Sequence, residues 1–265
     1  MSRAEAEKAI RSRVQVVYLG QDRVLSRVLG DYKLFLSSND LGFSCHVMLD
    51  GYWESWLTIF FMRLIKPGMT AVDVGANFGY YTILFAAAVG ATGKVIAIEP
   101  VPSTVASLND TIALNGFAAR TRLVAGAAGA VASSQAHILV PPREPKNSAV
   151  IAGPQDGSIA VPSFTLDELL HDLDRVDLVK IDVEGAEVNV IEGMRETIAR
   201  HRPSILLEFN AARYSDPLGF LNSLLATYQT VRAVSWEGNL EAVSPKTIVS
   251  ERFGEDWSLF FSVSQ

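Results

Sequence analysis

Cysteine is almost absent: Cys45 is the only one in 265 residues, which excludes an internal disulfide and any multi-cysteine zinc site. Its ordinary use is as a small buried apolar side chain. Basic charge is also scarce. Lys and Arg total 23 against 29 Asp and Glu, a net charge of −6. Such a balance gives no footprint for a nucleic-acid backbone, and no Lys/Arg cluster suits an anionic membrane surface. Neither nucleic acid nor membrane is therefore expected as a partner. Long apolar runs are missing too; Trp56 to Met62 falls far short of the roughly 18 residues that a membrane span needs. The opening residues, Met1 to Lys8, are too charged for a signal peptide, so a cytoplasmic location is expected. What the chain does have is 49% apolar and 20% charged residues, the composition of a folded globular protein.

Length favours one large α/β domain with an appendage. Residues 1–52 are expected to form a helical and strand appendage: helix within Ala4–Leu29, short strands over 31–50, breaks at Gly42 and Gly51. From Trp53 the pattern sharpens. Trp53, Trp56, Leu57, Phe60, Phe61, Leu64 and Ile65 share one helix face, ended by Lys66-Pro67-Gly68. Short β-rich runs follow at Thr70–Gly75, Lys94–Glu99, Thr121–Gly126, Val176–Asp182 and Ser204–Phe209. Helical patterns separate them at about 79–89, 102–115, 165–173 and 186–200, with Asn115-Gly116 as a stop and Thr165 to Glu168 as a capping box. This alternation predicts an open, doubly wound, mostly parallel Rossmann-like sheet. Residues 133–162, rich in Pro and Gly, read as a hairpin-like insertion in a 53–265 domain. After a helix at Ser215–Tyr228, Thr230–Val263 reads as strands forming an antiparallel C-terminal edge.

The densest signal is Asp73-Val-Gly75-Ala76-Asn77-Phe78-Gly79, a strand running into a glycine loop that opens a helix. Glycines at 75 and 79 let the backbone approach a bound molecule where a Cβ would intrude. A dinucleotide loop reads Gly-x-Gly-x-x-Gly and cradles a pyrophosphate; here the spacing is Gly-x-x-x-Gly, and Asp73 repels anions while favouring an amine or sulfonium. S-adenosylmethionine carries both cations. The second run ends at Glu99-Pro100, where a carboxylate can accept from both ribose hydroxyls of an adenosine. The third, ending Gly126-Ala127-Ala-Gly129, brings small residues beside the adenine.

A second cluster is Lys180-Ile-Asp182-Val-Glu184-Gly-Ala-Glu187. Lys180 and Asp182 are two apart on a strand and share a face, and charges are unusual in a central parallel strand. Glu184 and Glu187 begin a helix, where the helix dipole also favours acids. Glu208 and Asn210 end the next run. Asp182, Glu208 and Asn210 form an oxygen-rich set that suits either Mg²⁺ or, the reading we prefer, a hydroxyl-rich acceptor. His46, Tyr52, Trp53, Tyr80, Tyr81, His201 and Tyr214 are aromatic candidates for the acceptor pocket, although each residue type is more often packing or surface.

Asp73 to Gly79 followed by Lys180 to Glu187 resembles the FkbM family of S-adenosylmethionine-dependent methyltransferases. The resemblance covers about residues 50–210, including Asn115-Gly116, Thr165-Leu166-Asp167 and Glu208. It implies a class I methyltransferase fold and O-methylation of a sugar, polyketide or other specialised metabolite. It also implies Asp73, Gly75, Asn77, Gly79 and Glu99 around the cofactor, with Lys180, Asp182 and Glu184 facing the methyl donor or acceptor. A hydroxyl needs a base to shed its proton; Asp182 is the first choice, and Lys180 either stabilises the alkoxide or acts as base itself if burial depresses its pKa. Two other readings are a nicotinamide-dependent oxidoreductase and a non-catalytic adenosyl-binding domain. Acceptor identity and oligomeric state are not legible.

Overall fold

The computed structural model describes residues 2–132 and 134–263. Met1, Ser133, Ser264 and Gln265, which fall within the segments expected at 1–52, 133–162 and 53–265, lie outside the described residues. The chain begins with α1 (Arg3–Arg11), β1 (Val16–Gly20), β2 (Arg23–Val28), β3 (Tyr32–Ser37), α2 (Ser44–Asp50) and α3 (Ser55–Leu64). Helix α1 is capped by Ser2, whose hydroxyl accepts from the Glu5 amide while Glu5 accepts from the Ser2 amide. Helix therefore occupies only the start of the expected 4–29 stretch. The rest forms strands: β2 alternates half-buried and buried side chains, and the exposed β1 pairs with it antiparallel. Conversely, residues 44–50, expected as strand, are helical and end on Gly51 at φ 74°.

The main sheet contains β4 (Thr70–Val74), β5 (Lys94–Glu99) and β6 (Thr121–Ala125), separated by α4 (Tyr80–Ala88) and α5 (Pro102–Leu114). The excursion that follows comprises β7 (Ala127–Ala128), β8 (Ser134–Leu139), β9 (Ala149–Ile151) and β10 (Ser158–Phe164), paired in the order β7-β10-β8-β9. Where a hairpin-like insertion was expected, β8 and β10 pair antiparallel and β9 and β7 add two further strands, one on each side. Then come α6 (Leu166–Leu170), β11 (Leu178–Ile181), α7 (Glu187–Glu192), α8 (Arg195–His201) and β12 (Ser204–Phe209). Last are α9 (Pro217–Tyr228), β13 (Val231–Val234), β14 (Leu240–Ala242), α10 (Pro245–Ser250) and β15 (Trp257–Phe261).

The eight strands of the main sheet run β14-β13-β15-β12-β11-β4-β5-β6, and the five from β12 to β6 are parallel. This is the expected Rossmann-like α/β sheet. The antiparallel part differs in detail: β15 sits inside the sheet between β12 and β13, and β14 forms the edge. Helix α10 was not expected from the sequence. The helix predicted over 186–200 is two helices, because a Cβ on Gly193 would lie 2.0 Å from the Gly129 carbonyl oxygen. The Asp167 carboxylate then caps α8, accepting from the amide and hydroxyl of Thr197, each at 2.7 Å.

Two apolar clusters cover the two faces of the sheet. One joins α3, α4 and α5 to the inward side chains of β2 and β3, such as Val24, Val28, Leu34 and Leu36. The other joins α6 to α9, through residues such as Leu170, Val190, Ile198 and Leu224. Strand order reverses between β11 and β4, so a cleft opens beyond their carboxyl ends.

Candidate active site

The register of the sheet assembles the site. Asp73 of β4 lies opposite Lys180 of β11 and Ala97 of β5, and Lys180 also opposes Leu206 of β12. Two residues further along these strands, on the same side by their period of two, stand Gly75, Glu99, Asp182 and Glu208. All four line one cleft. Ala76, Asn77, Pro100, Ala127, Tyr81, Lys180 and Glu184 line it as well.

At one end lies the glycine loop. Its amides are spent internally: Gly75 and Ala76 both donate to the Ile98 carbonyl at 3.0 Å, and Asn77 donates to Glu99 Oε2 at 2.9 Å. Val101 donates to Glu99 Oε1 at 2.9 Å. Each oxygen of Glu99 therefore holds one N–H and keeps a lone pair for another donor. Burial pushes this carboxyl up to about 7, although both amides pull the other way. Gly75 is required for a reason other than ligand approach alone: a Cβ there would lie 1.8 Å from the Asp182 carbonyl oxygen. Gly79 faces Leu108 of α5 rather than the cleft, and Phe78 stacks on Phe43; neither lines the cleft.

Asp73, expected beside the cofactor, does not line the cleft. It is wholly buried and lies beneath the cleft, because its position on β4 turns it towards α4. There the Thr82 hydroxyl donates to its Oδ2 at 2.6 Å, and Lys180 Nζ lies 3.7 Å from its Oδ1. Lys180 is itself buried, donates to Asp182 Oδ2 at 3.0 Å and stands 5.1 Å from the centre of the Tyr81 ring. Burial alone would depress its pKa, but Asp182 and Asp73 together raise it above the usual lysine range. Its charged form is thus favoured where it stands.

The far end is rich in carboxylates. Glu54, just before α3, accepts from the Tyr81 hydroxyl at 2.7 Å, and burial followed by the nearby Asp182 charge pushes it up to about 7. Glu184 and Glu208 both pair with Arg213, at 2.8 and 3.1 Å. Burial and then Asp182 raise both carboxyls, Glu184 to about 7. Asn210 does not join them. Its side chain donates to the Gly254 carbonyl and to Asp256, and accepts from the Ala212 amide, which caps the turn after β12. The oxygen cluster is instead Asp182, Glu184 and Glu208, with ligand atoms within 4.8 Å of one another. Glu187 is buried and closes the turn before α7: its Oε1 accepts from Gly185 and Val183, its Oε2 from the Tyr214 hydroxyl. Of the aromatic candidates, Trp53, Tyr80 and Tyr81 line the cleft and His46, Tyr52, His201 and Tyr214 do not.

Sequence reasoning missed Glu54, Lys146 and Arg213. Glu54 did leave a signal, being the one carboxylate in the aromatic run Trp53 to Phe61. Three non-glycine residues at or near the cleft, Glu54, Asn77 and Glu184, hold left-handed backbone at φ 37°, 51° and 52°, the kind of strain that collects at functional sites.

Residues 73–233 match the Methyltransferase FkbM domain. The chain belongs to this family of S-adenosylmethionine-dependent methyltransferases. It is also similar to protein-L-isoaspartate O-methyltransferase 1 of Arabidopsis thaliana, 49% identical over 43 residues, which is 16% of this chain and 19% of that protein. The wheat (Triticum aestivum) protein-L-isoaspartate O-methyltransferase is 38% identical over 55 residues, 21% of this chain and 24% of the relative. This chain therefore spans about a fifth to a quarter of the curated relatives that it matches. Among solved structures, an FkbM methyltransferase from Methylobacillus flagellatus KT aligns over 73% of this chain and 43% of its own, at 21% identity and TM-score 0.49. An rRNA methylase from Streptococcus thermophilus aligns over 79% and 95%, at 10% identity and TM-score 0.46. No helix among the described residues is long and apolar enough to cross a membrane.

Proposed function

We propose that the chain binds S-adenosylmethionine between the Gly75–Gly79 loop and Glu99 and directs its methyl group to a hydroxyl of a small molecule held near Lys180 and Asp182. The observation that carries this reading is a single cleft lined by both Glu99 and the Lys180–Asp182 pair. The residues present fit the donor. Glu99 keeps a lone pair on each oxygen for the two ribose hydroxyls, and Pro100 and Ala127 offer a narrow apolar wall for an adenine.

When bound, the donor supplies an electrophilic methyl on a positively charged sulfur. The chain does the rest. Backbone at Gly75 to Asn77 and the Glu99 carboxylate fix the donor's position. Tyr81 and Trp53 close the acceptor end, which excludes water and orients the hydroxyl; such positioning contributes several kcal/mol to catalysis. Lys180, held charged by two aspartates, stabilises the acceptor oxygen as negative charge builds on it. Deprotonation falls to a carboxylate, and Asp182 and Glu54 both reach the cleft with an oxygen not used internally.

A nicotinamide reading is disfavoured by the hydrogen bonds of the loop. Gly75, Ala76 and Asn77 have no amide left for a pyrophosphate. Mg²⁺ is not favoured either, since Glu184 and Glu208 each already pair with the Arg213 guanidinium. Calorimetry with S-adenosylhomocysteine, NAD and NADP tests the donor. Binding of the first alone is expected, and binding of a nicotinamide nucleotide in its place overturns the reading. Transfer of a labelled methyl into a panel of hydroxylated metabolites tests the acceptor class and separates an enzyme from a non-catalytic adenosyl-binding domain. Labelling of protein or RNA instead would move the acceptor to another class.

A further inference from the structure

Five carboxylates line the cleft: Glu54, Glu99, Asp182, Glu184 and Glu208. Four are committed. Glu99 holds two backbone amides at the donor end. Glu184 and Glu208 share Arg213. Asp182 gives its Oδ2 to the Lys180 ammonium at 3.0 Å. Glu54 differs, for among the described residues it makes no ion pair, its Oε1 has no hydrogen bond, and its Oε2 takes only the neutral Tyr81 hydroxyl. We propose, on the reading of the chain as a methyltransferase, that Glu54 takes the proton of the acceptor hydroxyl and that Asp182 serves to hold Lys180.

The chemistry follows from the pairing. A carboxylate tied to an ammonium has its charged form stabilised and is a weak base, whereas one crowded by another negative charge binds a proton more readily. The groups that face Glu54 are Tyr81, Asp182, Lys180 and Lys146. Of the two cations, Lys180 is saturated by Asp73 and Asp182, and Lys146 sits 5.7 Å from the Trp53 ring centre. Tyr81 carries the Glu54 hydrogen bond on its hydroxyl and faces Lys180 with its ring. One side chain thus spaces the base from the cation that steadies the oxygen. In the step, the acceptor O–H bond breaks with its proton passing to Glu54 Oε1, and a new O–C bond forms to the methyl. The C–S bond breaks with its electron pair returning to sulfur, leaving a neutral thioether.

The test compares Glu54→Gln, Glu54→Asp and Asp182→Asn in the full chain. First, S-adenosylhomocysteine affinity measured by calorimetry should stay within about threefold of the parent in all three. Loss of binding in the parent protein itself would sink the methyltransferase reading, not the assignment of the base. Second, carbon NMR of protein labelled at glutamate carboxyls, with S-adenosylhomocysteine bound, should show, among the raised carboxyls of the cleft, one that titrates near neutrality and whose signal vanishes in Glu54→Gln. If the Glu54 signal titrates below about pH 5, the proposal fails. Third, with whichever hydroxylated probe turns over, Glu54→Gln should lower kcat by about 10²–10⁴-fold and abolish the rise of kcat with pH, with partial rescue by aspartate. Asp182→Asn should lower kcat and keep the pH rise. The reverse pattern, the pH rise lost in Asp182→Asn and kept in Glu54→Gln, would assign the proton to Asp182.

Discussion

Replacing Glu99 by Gln tests the donor end with the least disturbance of shape. The native carboxylate accepts one amide on each oxygen, both at 2.9 Å. An amide group has one oxygen, so one backbone N–H loses its acceptor, and one ribose hydroxyl meets a donor where it had a lone pair. A hydrogen bond to a charged group is worth about 1.5–3 kcal/mol, so S-adenosylhomocysteine affinity should fall by about 10- to 150-fold. A second signature follows from Glu99 standing at about 7 in the free protein. Only about a tenth of the carboxyls are ionised one pH unit below that value, against about nine tenths one unit above it. Parent affinity should therefore rise by about tenfold between pH 6 and pH 8, with proton release on binding at the lower pH. The glutamine variant should lose this component. Calorimetry at pH 6, 7 and 8, in buffers of different ionisation enthalpy, reads both effects. A folded Glu99→Gln protein that binds within about threefold of the parent and keeps its pH slope would refute the assignment of Glu99 to the ribose.

Gly75→Ala places a methyl 1.8 Å from the Asp182 carbonyl oxygen at a φ of 78°. Strain and overpacking together should cost about 2–5 kcal/mol, visible as a lower Tm and lost S-adenosylhomocysteine binding. The ligand-free protein should lose stability as pH rises from about 5 to 8. A carboxyl raised from 4.5 to about 7 on folding supports the fold fully below pH 4.5, and that support fades through about pH 7. For buried Glu99 the change is at most roughly 3 kcal/mol, with Glu54 and Glu184 acting in the same direction. Thermal melts across pH check this, and a rising or flat Tm over that window would contradict it. Because Glu184 and Glu208 each already pair with Arg213, EDTA should leave both S-adenosylhomocysteine affinity and methyl transfer unchanged; loss of either, restored by Mg²⁺, would place an ion among these carboxylates.

The parallel strands were legible because each is a short apolar run closed by a residue unsuited to a strand interior: Gly75, Glu99, Asp182 and Asn210. Their shared function as cleft walls was legible for the same reason, since strand ends gather at one edge of such a sheet. Direction within the sheet was less so. Asp73 was expected to meet the cofactor's cations, yet the register sets it directly opposite Lys180 and it is wholly buried. Asn210 looked like a partner of Glu208, but its side chain is used by the turn after β12, accepting from the Ala212 amide and donating to Gly254 and Asp256. The break of the 186–200 helix was hidden because it depends on the approach of Gly129 to Gly193, a contact made 64 residues apart in the chain.

The acceptor end was the least legible part, and the reason is architectural. Its distinguishing side chains come from outside the parallel sheet: Trp53 and Glu54 from the approach to α3, Pro145, Lys146 and Ser148 from the turn between β8 and β9. Neither segment has a periodic pattern, and they meet through contacts that no local rule predicts. The Leu41 amide donates to the Arg143 carbonyl at 2.8 Å, Lys146 lies over the Trp53 ring, and Lys146 Cε would sit 2.7 Å from a Cβ on Gly42. The donor side, by contrast, is built from the ends of the consecutive strands β4, β5 and β6, from Gly75 to Ala128, and from a loop whose amides are internally satisfied. On the proposed reading, the two ends are free to vary separately. Substitutions at Trp53 or Lys146 should change which hydroxyl compound is accepted while leaving S-adenosylhomocysteine affinity in place, because neither residue touches the carboxylate or the amides that fix the donor.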